Sequence, residues 1–225
     1  MMKVAGFQKN SFIDYPGKIA SVIFLGGCNF RCHYCHNFNI LSAKSNTKDF
    51  AEVLQQIKEQ IGFIDGVVIT GGEPTLHPDL KDIIRQIKGL GLLVKLDTNG
   101  TNSKILKELD VDFIAMDIKA PLKKYNDICN TDIDVTEIEK SVDLLKKGRV
   151  DYMFRLTLSP MLATDDIKQI GELVHGAKLF QLQQFVPNEF SNSHRTVHLP
   201  HTTETAKKFE LILSKYCRKV IMRGF

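Results

Sequence analysis

Long apolar runs are missing from this sequence. The longest fall far short of the roughly 20 residues that a membrane-spanning helix needs. Met1 to Lys18 also has no continuous apolar stretch leading to a small-residue cleavage site, so a soluble, cytoplasmic chain with no membrane association is expected. A concentrated basic block is missing too. The formal net charge is +4 and 25% of residues are charged, but the lysines stand among acids on helical segments such as Lys48 to Glu59 and Glu137 to Lys147. That pattern reads as solvated helix faces and argues against a nucleic-acid partner. The five cysteines do not pair off, and an odd number in an intracellular chain argues against a disulfide scaffold. There is no internal repeat, low-complexity tract or interdomain linker. With 225 residues and a hydrophobic fraction of 43%, one domain over residues 1–225 with one large core is expected.

What is present is an alternation of short β-rich apolar runs with segments of helical period. The runs are Ile19 to Leu25, Val67 to Thr70, Leu92 to Thr98, Phe113 to Ile118, Tyr152 to Leu158 and Lys178 to Gln183. Most are continuously apolar, as in parallel strands covered on both faces. Between them, Phe50, Val53, Leu54, Ile57 and Ile61 form one helical stripe, and Leu80, Ile83, Ile84 and Ile87 another, with Pro78 suited to its first turn. Further helices are expected over Ser103 to Leu109, Val135 to Lys147, Asp165 to His175 and Thr203 to Tyr216, with Thr136 and Glu139 spaced as a capping box. About six βα units predict an α/β fold, a partial (β/α)6 barrel open on one side, with a flat doubly wound sheet as the alternative. Residues 1–18 read as an N-terminal strand or hairpin extension, and Lys219 to Met222 as a closing strand.

The first apolar run leads into GGCNFRCHYCHN, Gly26 to Asn37, in which Cys28, Cys32 and Cys35 have the spacing C-x3-C-x2-C. A compact loop can aim three thiolates at one inorganic cluster, and thiolates suit iron–sulfur ligation. A four-iron cubane with three protein ligands keeps one iron open, where S-adenosylmethionine (SAM) could bind through its amino and carboxylate groups. His33 and His36 also allow a zinc reading, but the usual paired knuckles are absent. Cys129 and Cys217 stand alone and read as packing or incidental thiols.

The second run ends in Gly71, Gly72, Glu73 and Pro74. The glycines permit close backbone approach, and the carboxylate can accept hydrogen bonds from an ammonium, although a glycine pair by itself is commonly only a turn. The third run ends in LDTNG, with Asp97, Thr98 and Asn99, and the fourth in MDIKAP, with Asp117 and Lys119. Arg155 lies in FRLTL, and Gln183, Gln184 and Phe185 end the sixth run. In a barrel these groups would gather at the C-terminal rim, but Asn99–Gly100 also reads as an ordinary turn, Asp117–Lys119 as a structural pair and Phe185 as core.

The C-x3-C-x2-C loop with Tyr34 before its last cysteine, followed by GGEP, resembles the radical SAM superfamily. The resemblance implies a 4Fe-4S cluster on Cys28, Cys32 and Cys35, Tyr34 beside the SAM adenine, and Gly71, Gly72 and Glu73 at the methionine amino group. GFQKNSFIDYPGKIASVIF, LDTNG, DIKAP, QFVP and VIMRG extend it to activating proteins of anaerobic ribonucleoside-triphosphate reductase and other glycyl-radical enzymes. It implies that Asp97, Thr98 and Asp117 hold a monovalent cation near the SAM carboxylate and that Lys119 and Arg155 complete that pocket; Asn99 and Gln183, at strand ends on the same rim, are further candidates for the cofactor cavity. It further implies a glycyl-radical enzyme as protein substrate and a flavodoxin- or ferredoxin-like electron donor. Two other readings remain at this point. A small-metabolite enzyme related to 7-carboxy-7-deazaguanine synthase would generally carry a longer insertion in the cysteine loop. An electron-transfer or interaction module would have little use for Glu73, Asp97, Asp117, Lys119 and Arg155 at successive strand ends.

Overall fold

Strand and helix alternate along the chain in the order that the apolar runs predict, and a computed structural model describes residues 3–35, 37–38, 47–148, 150–187 and 199–225. The chain divides into two compact units. The first comprises Met1–Asn29, Asn37–Thr98 and Lys104–Ile114, and the second Phe30–His36, Asn99–Ser103 and Ala115–Phe225.

In the first unit, β1 (Lys3–Val4) pairs antiparallel with β4 (Lys48–Asp49). The larger sheet runs β2 (Gly6–Tyr15), β3 (Lys18–Leu25), β5 (Gly66–Gly71), β6 (Leu93–Thr98). β2 and β3 are antiparallel, so the N-terminal segment forms a hairpin, whereas β3, β5 and β6 are parallel, with Leu25 level with Gly71. The crossovers carry α1 (Phe50–Lys58) and α2 (Leu80–Lys88). Val22, Ile23, Val67, Val68, Ile69, Val94 and Leu96 are all 0–1% exposed, so neighbouring residues are buried on both faces of these strands. That accounts for the continuous apolar runs. α2 buries its predicted stripe, Leu80, Ile83, Ile84 and Ile87, each contributing up to about 1.5–3 kcal/mol. Its N-cap is Asp79, so Pro78 precedes the helix and does not occupy the first turn.

The second unit has the order β7 (Phe113–Asp117), β8 (Asp151–Leu158), β9 (Phe180–Gln184), β10 (Val220–Arg223), the first two residues of β7 being counted in the other unit. β8, β9 and β10 are parallel. Its helices include α4 (Tyr125–Cys129), α5 (Val135–Lys147), α6 (Thr164–Leu173) and α7 (Thr203–Leu213); α3 (Ser103–Glu108) starts at its margin. α5 has the predicted ends, but its cap is Asp134, whose side chain accepts from Thr136 N–H. The Thr136–Glu139 capping box does not form because Thr136 is already inside the helix. α4 was not foreseen: five residues are too few to show a period.

Candidate active site

The glycine pair is required by its surroundings. Gly71 has φ +125° and a β-carbon there would overlap the Leu25 carbonyl; one on Gly72 would overlap the Gly27 carbonyl. The chain lies this close because Gly72 N–H donates to Leu25 O at 2.9 Å and Glu73 N–H to Gly27 O at 2.9 Å. The end of β5 is thereby laced to the start of the cysteine loop, one residue from Cys28. Two side chains reinforce the contact: His77 Nε2 lies 2.6 Å from Gly26 O, and Asn37 Nδ2 donates to Gly71 O at 2.9 Å.

Glu73 is fully buried. Its Oε1 accepts from Thr75 N–H at 3.0 Å, Thr75 Oγ1 at 2.6 Å and Thr98 Oγ1 at 2.8 Å. These three donors converge on one oxygen and fix the carboxylate between the ends of β5 and β6. Thr98 therefore serves Glu73. Asp97 instead pairs with the buried ammonium of Lys95 and accepts from Thr70 Oγ1 at 3.2 Å. Asn99 closes a turn, its Oδ1 accepting from Thr101 N–H at 3.0 Å and Thr101 Oγ1 at 2.7 Å.

In the second unit Asp117 is the hub. Arg155 Nε donates to its Oδ1 at 2.5 Å and Lys119 Nζ to its Oδ2 at 2.8 Å. Burial alone would raise the Asp117 pKa; Arg155 and then Lys119 outweigh it and hold the carboxyl well below the ordinary range. Burial likewise pulls Lys119 down, and Asp117 overrides it, so the ammonium is held above its usual value. Tyr125 Oη accepts from Lys119 N–H at 3.1 Å. Each group that the resemblance offered for a monovalent cation is thus engaged inside its own unit: Asp97 by Lys95, Thr98 by Glu73, and Asp117 by Lys119 and Arg155. Among the described residues, no group of three or more His, Cys, Asp or Glu side chains is gathered as a ready metal site.

Cys32 is buried and Cys35 half-buried, and all five cysteines are thiols. A hydrogen bond with the Cys129 side chain holds the Cys32 thiol down at about 7; burial opposes it and the Lys119 ammonium assists. Arg31 N–H donates to Cys129 O at 2.8 Å, and Phe30 sits edge-on to Tyr125 with ring centroids 6.3 Å apart. Tyr34 is 6% exposed, and its buried hydroxyl has no hydrogen-bond partner among the described residues. Burial, then the charge at Cys32, raises its pKa. His36 lies outside the described residues.

Gln183 is half-buried and stands level with Thr157 on β8 and Arg223 on β10. Gln181, two residues back and so on the same face, stands level with Arg155; it is 5% exposed and its Nε2 is unpartnered. Gln184 turns to structure instead, donating to His201 O at 2.9 Å, and Phe185 is core. Sequence reasoning did not pick out Lys95, Thr75, Tyr125 or Gln181. Lys95 was legible in principle, as a lone cation inside an apolar strand two residues before an aspartate. Cys129 was passed over because its helix was.

The residues fit the cofactors that the cysteine spacing implies: thiols in a loop, a backbone cradle that excludes β-carbons, and a carboxylate held by neutral donors. The chain belongs to the radical SAM superfamily, whose family model matches residues 22–174. It is 35% identical over 231 residues to a protein of Methanocaldococcus jannaschii named "Putative glycyl-radical enzyme activating enzyme", covering 98% of this chain and 95% of that one. The pyruvate formate-lyase 1-activating enzyme of Escherichia coli is 23% identical over 245 residues, 97% of this chain and 98% of the relative. Among solved structures, TYW1 with a lysine-pyruvate adduct bound matches with a TM-score of 0.66 at 18% identity, over 88% of this chain and 74% of that one. That likeness shows the fold, the open half-barrel α/β type that the sequence predicts. No helix among the described residues is long and apolar enough to cross a membrane.

Proposed function

We propose that this radical SAM enzyme activates a glycyl-radical enzyme, with anaerobic ribonucleoside-triphosphate reductase as one candidate of that class. The observation that carries the reading is the lacing of Gly72 and Glu73 to Leu25 and Gly27, which builds a rigid acceptor next to the cysteine loop. Similarity along nearly the whole chain to a protein named for glycyl-radical enzyme activation supports the choice of substrate class.

In this reading Cys28, Cys32 and Cys35 hold a 4Fe-4S cluster, and the backbone at Gly71 and Gly72 together with Glu73 receives the amino end of SAM. When bound, the reduced cluster and SAM would supply one-electron chemistry directed at a glycine α-carbon of the partner. The chain's own residues bind, orient and exclude water. Glu73 accepts from the ammonium with an oxygen already aimed by Thr75 and Thr98. Asp117 holds Lys119 and Arg155 as cations for the carboxylate end of SAM, and Gln183 and Asn99 belong to the cofactor side of the cavity. A flavodoxin- or ferredoxin-like protein delivers the electron.

The test is anaerobic cluster reconstitution, followed by reduction and mixing with SAM and candidate glycyl-radical enzymes. 5'-Deoxyadenosine and the electron paramagnetic resonance spectrum are then followed. A partner-dependent glycyl doublet is the expected result. Deoxyadenosine without the doublet for every candidate would move the substrate to a small metabolite, and absence of both would overturn the assignment.

A further inference from the structure

The mechanism uses three cysteines and has no role for Cys129, yet this thiol is placed against the cluster loop. It closes α4 and is fully buried, and its side chain is the main influence lowering the pKa of the Cys32 thiol. Backbone contacts fix the arrangement from both sides. Arg31 N–H, the amide next to Cys32, donates to the Cys129 carbonyl at 2.8 Å, and Phe30 packs on Tyr125 at the other end of the same helix. Cys32 is itself 7% exposed. A hydrogen bond from the residue next to Cys32 to the backbone of Cys129 brings two buried thiols onto adjoining segments, the setting in which a disulfide needs least rearrangement.

We propose that Cys32 and Cys129 form a disulfide when the chain meets an oxidant without its cluster, so that one cluster ligand is withdrawn and stored in reversible form. With hydrogen peroxide the balance is one peroxide per disulfide: two S–H bonds and the O–O bond break, one S–S bond and two O–H bonds form, and two waters leave. Both sulfurs are oxidised and the peroxide oxygens reduced. A dithiol reductant returns the pair to thiols by exchange. Partner with Cys129, Cys32 is kept off the irreversible sulfinic and sulfonic steps.

Tryptic peptides separate the thiols well, because cleavage after Arg31 and Lys124 puts Cys32 in 32–44 and Cys129 in 125–140, apart from Cys28 in 19–31. Cluster-free full-length protein is reduced, freed of reductant anaerobically, treated with stoichiometric hydrogen peroxide, alkylated and mapped by mass spectrometry. The expected product is the 32–44/125–140 cross-link, lighter by two hydrogens than its separate peptides, with fragmentation assigning the bond to Cys32 and not Cys35. The link is lost in Cys129→Ser, and in the wild type it blocks iron uptake on reconstitution until reductant is added. Circular dichroism of Cys129→Ser and of a Cys129→Ala variant shows whether each is folded. Alkylated Cys129 in peroxide-treated wild-type protein, or a link confined to Cys28, Cys32 and Cys35, would overturn the proposal.

Withdrawal of a ligand rests on Cys32 binding the cluster, and the two ideas fail separately. A cross-link that leaves iron uptake intact refutes the ligand role. Full iron binding by the reduced protein without any cross-link refutes the disulfide.

Discussion

Thr98 Oγ1 donates to Glu73 Oε1 at 2.8 Å, so the ends of two neighbouring parallel strands share one buried carboxylate. The same oxygen takes both hydrogen bonds from Thr75, so the carboxylate is held in one orientation. Glu73→Gln keeps an oxygen for those donors and removes the charge. SAM binding to the reconstituted protein is expected to weaken about 10–100-fold, the range of one charge-assisted hydrogen bond, with the folded state little changed. Calorimetric titration under anaerobic conditions measures it, and an unaltered dissociation constant would remove Glu73 from the SAM site.

Gly72→Ala places a methyl group onto a carbonyl oxygen that cannot move without breaking the bond from Glu73 N–H. A loss of about 3 kcal/mol is expected, the upper part of the overpacking range. Gly91→Ala is the control: φ is +77° with nothing within 4 Å of the added carbon, so only backbone strain of about 1–2 kcal/mol applies. Urea denaturation of both variants checks the order, and equal losses would contradict the close-approach account.

The Tyr34 hydroxyl is buried without a partner, and a hydroxyl in that state is a net cost. Tyr34→Phe in the cluster-free, reduced protein is therefore expected to be more stable, by about 1 kcal/mol. A decrease of similar size in the urea midpoint energy would mean that the hydroxyl is satisfied in solution.

Asp117→Asn leaves Lys119 and Arg155 facing a neutral amide, and about 3 kcal/mol of stability should go with the charge. The sign of the pH dependence follows from the shifts. Asp117 is depressed, so its contribution is complete above about pH 4, the ordinary carboxylate value, and fades as pH falls toward its lowered value. Lys119 is raised, so its share is complete below about pH 10 and fades as pH rises through its raised value. The gap between wild type and variant should be flat from pH 5 to 9 on the order of these limits, narrow below about pH 4 and narrow again above about pH 10. Thermal unfolding across pH reads this, and a gap that closes near neutrality would show that the pairs are screened.

Much of this was legible because the signals are periodic or chemical. Strands β3, β5 and β6 are apolar on both faces, so their runs stand out, and α5 is long enough for its stripe of Ile138, Val142 and Leu145 to set both ends. The cysteine spacing and GGEP marked the loop and the strand end that the structure joins by backbone hydrogen bonds. Side-chain pairing was not legible. Nothing in LDTNG says that Asp97 turns back to Lys95 while Thr98 turns to Glu73, because that choice is made by strand alternation and by what the next strand presents. The contact of Cys129 with Cys32 was hidden for a related reason: it depends on a five-residue helix and on residues 97 positions apart in the chain.

The bulged hairpin strand β2 has a consequence for how copies of this chain meet. Its pairing with β3 slips between Gln8 and Ser11 and again between Ser11 and Tyr15. In that stretch Ser11 Oγ accepts from Ile13 N–H at 3.3 Å and Asp14 N–H at 3.2 Å while donating to Asp14 Oδ2 at 2.6 Å. The amides of Ile13 and Asp14 are thus engaged within the strand at the border of the sheet, where an open ladder would recruit another molecule and seed aggregation. A neighbouring polypeptide would find the Ile13 and Asp14 amides already taken and would meet instead the exposed side chains of Phe12 and Ile13.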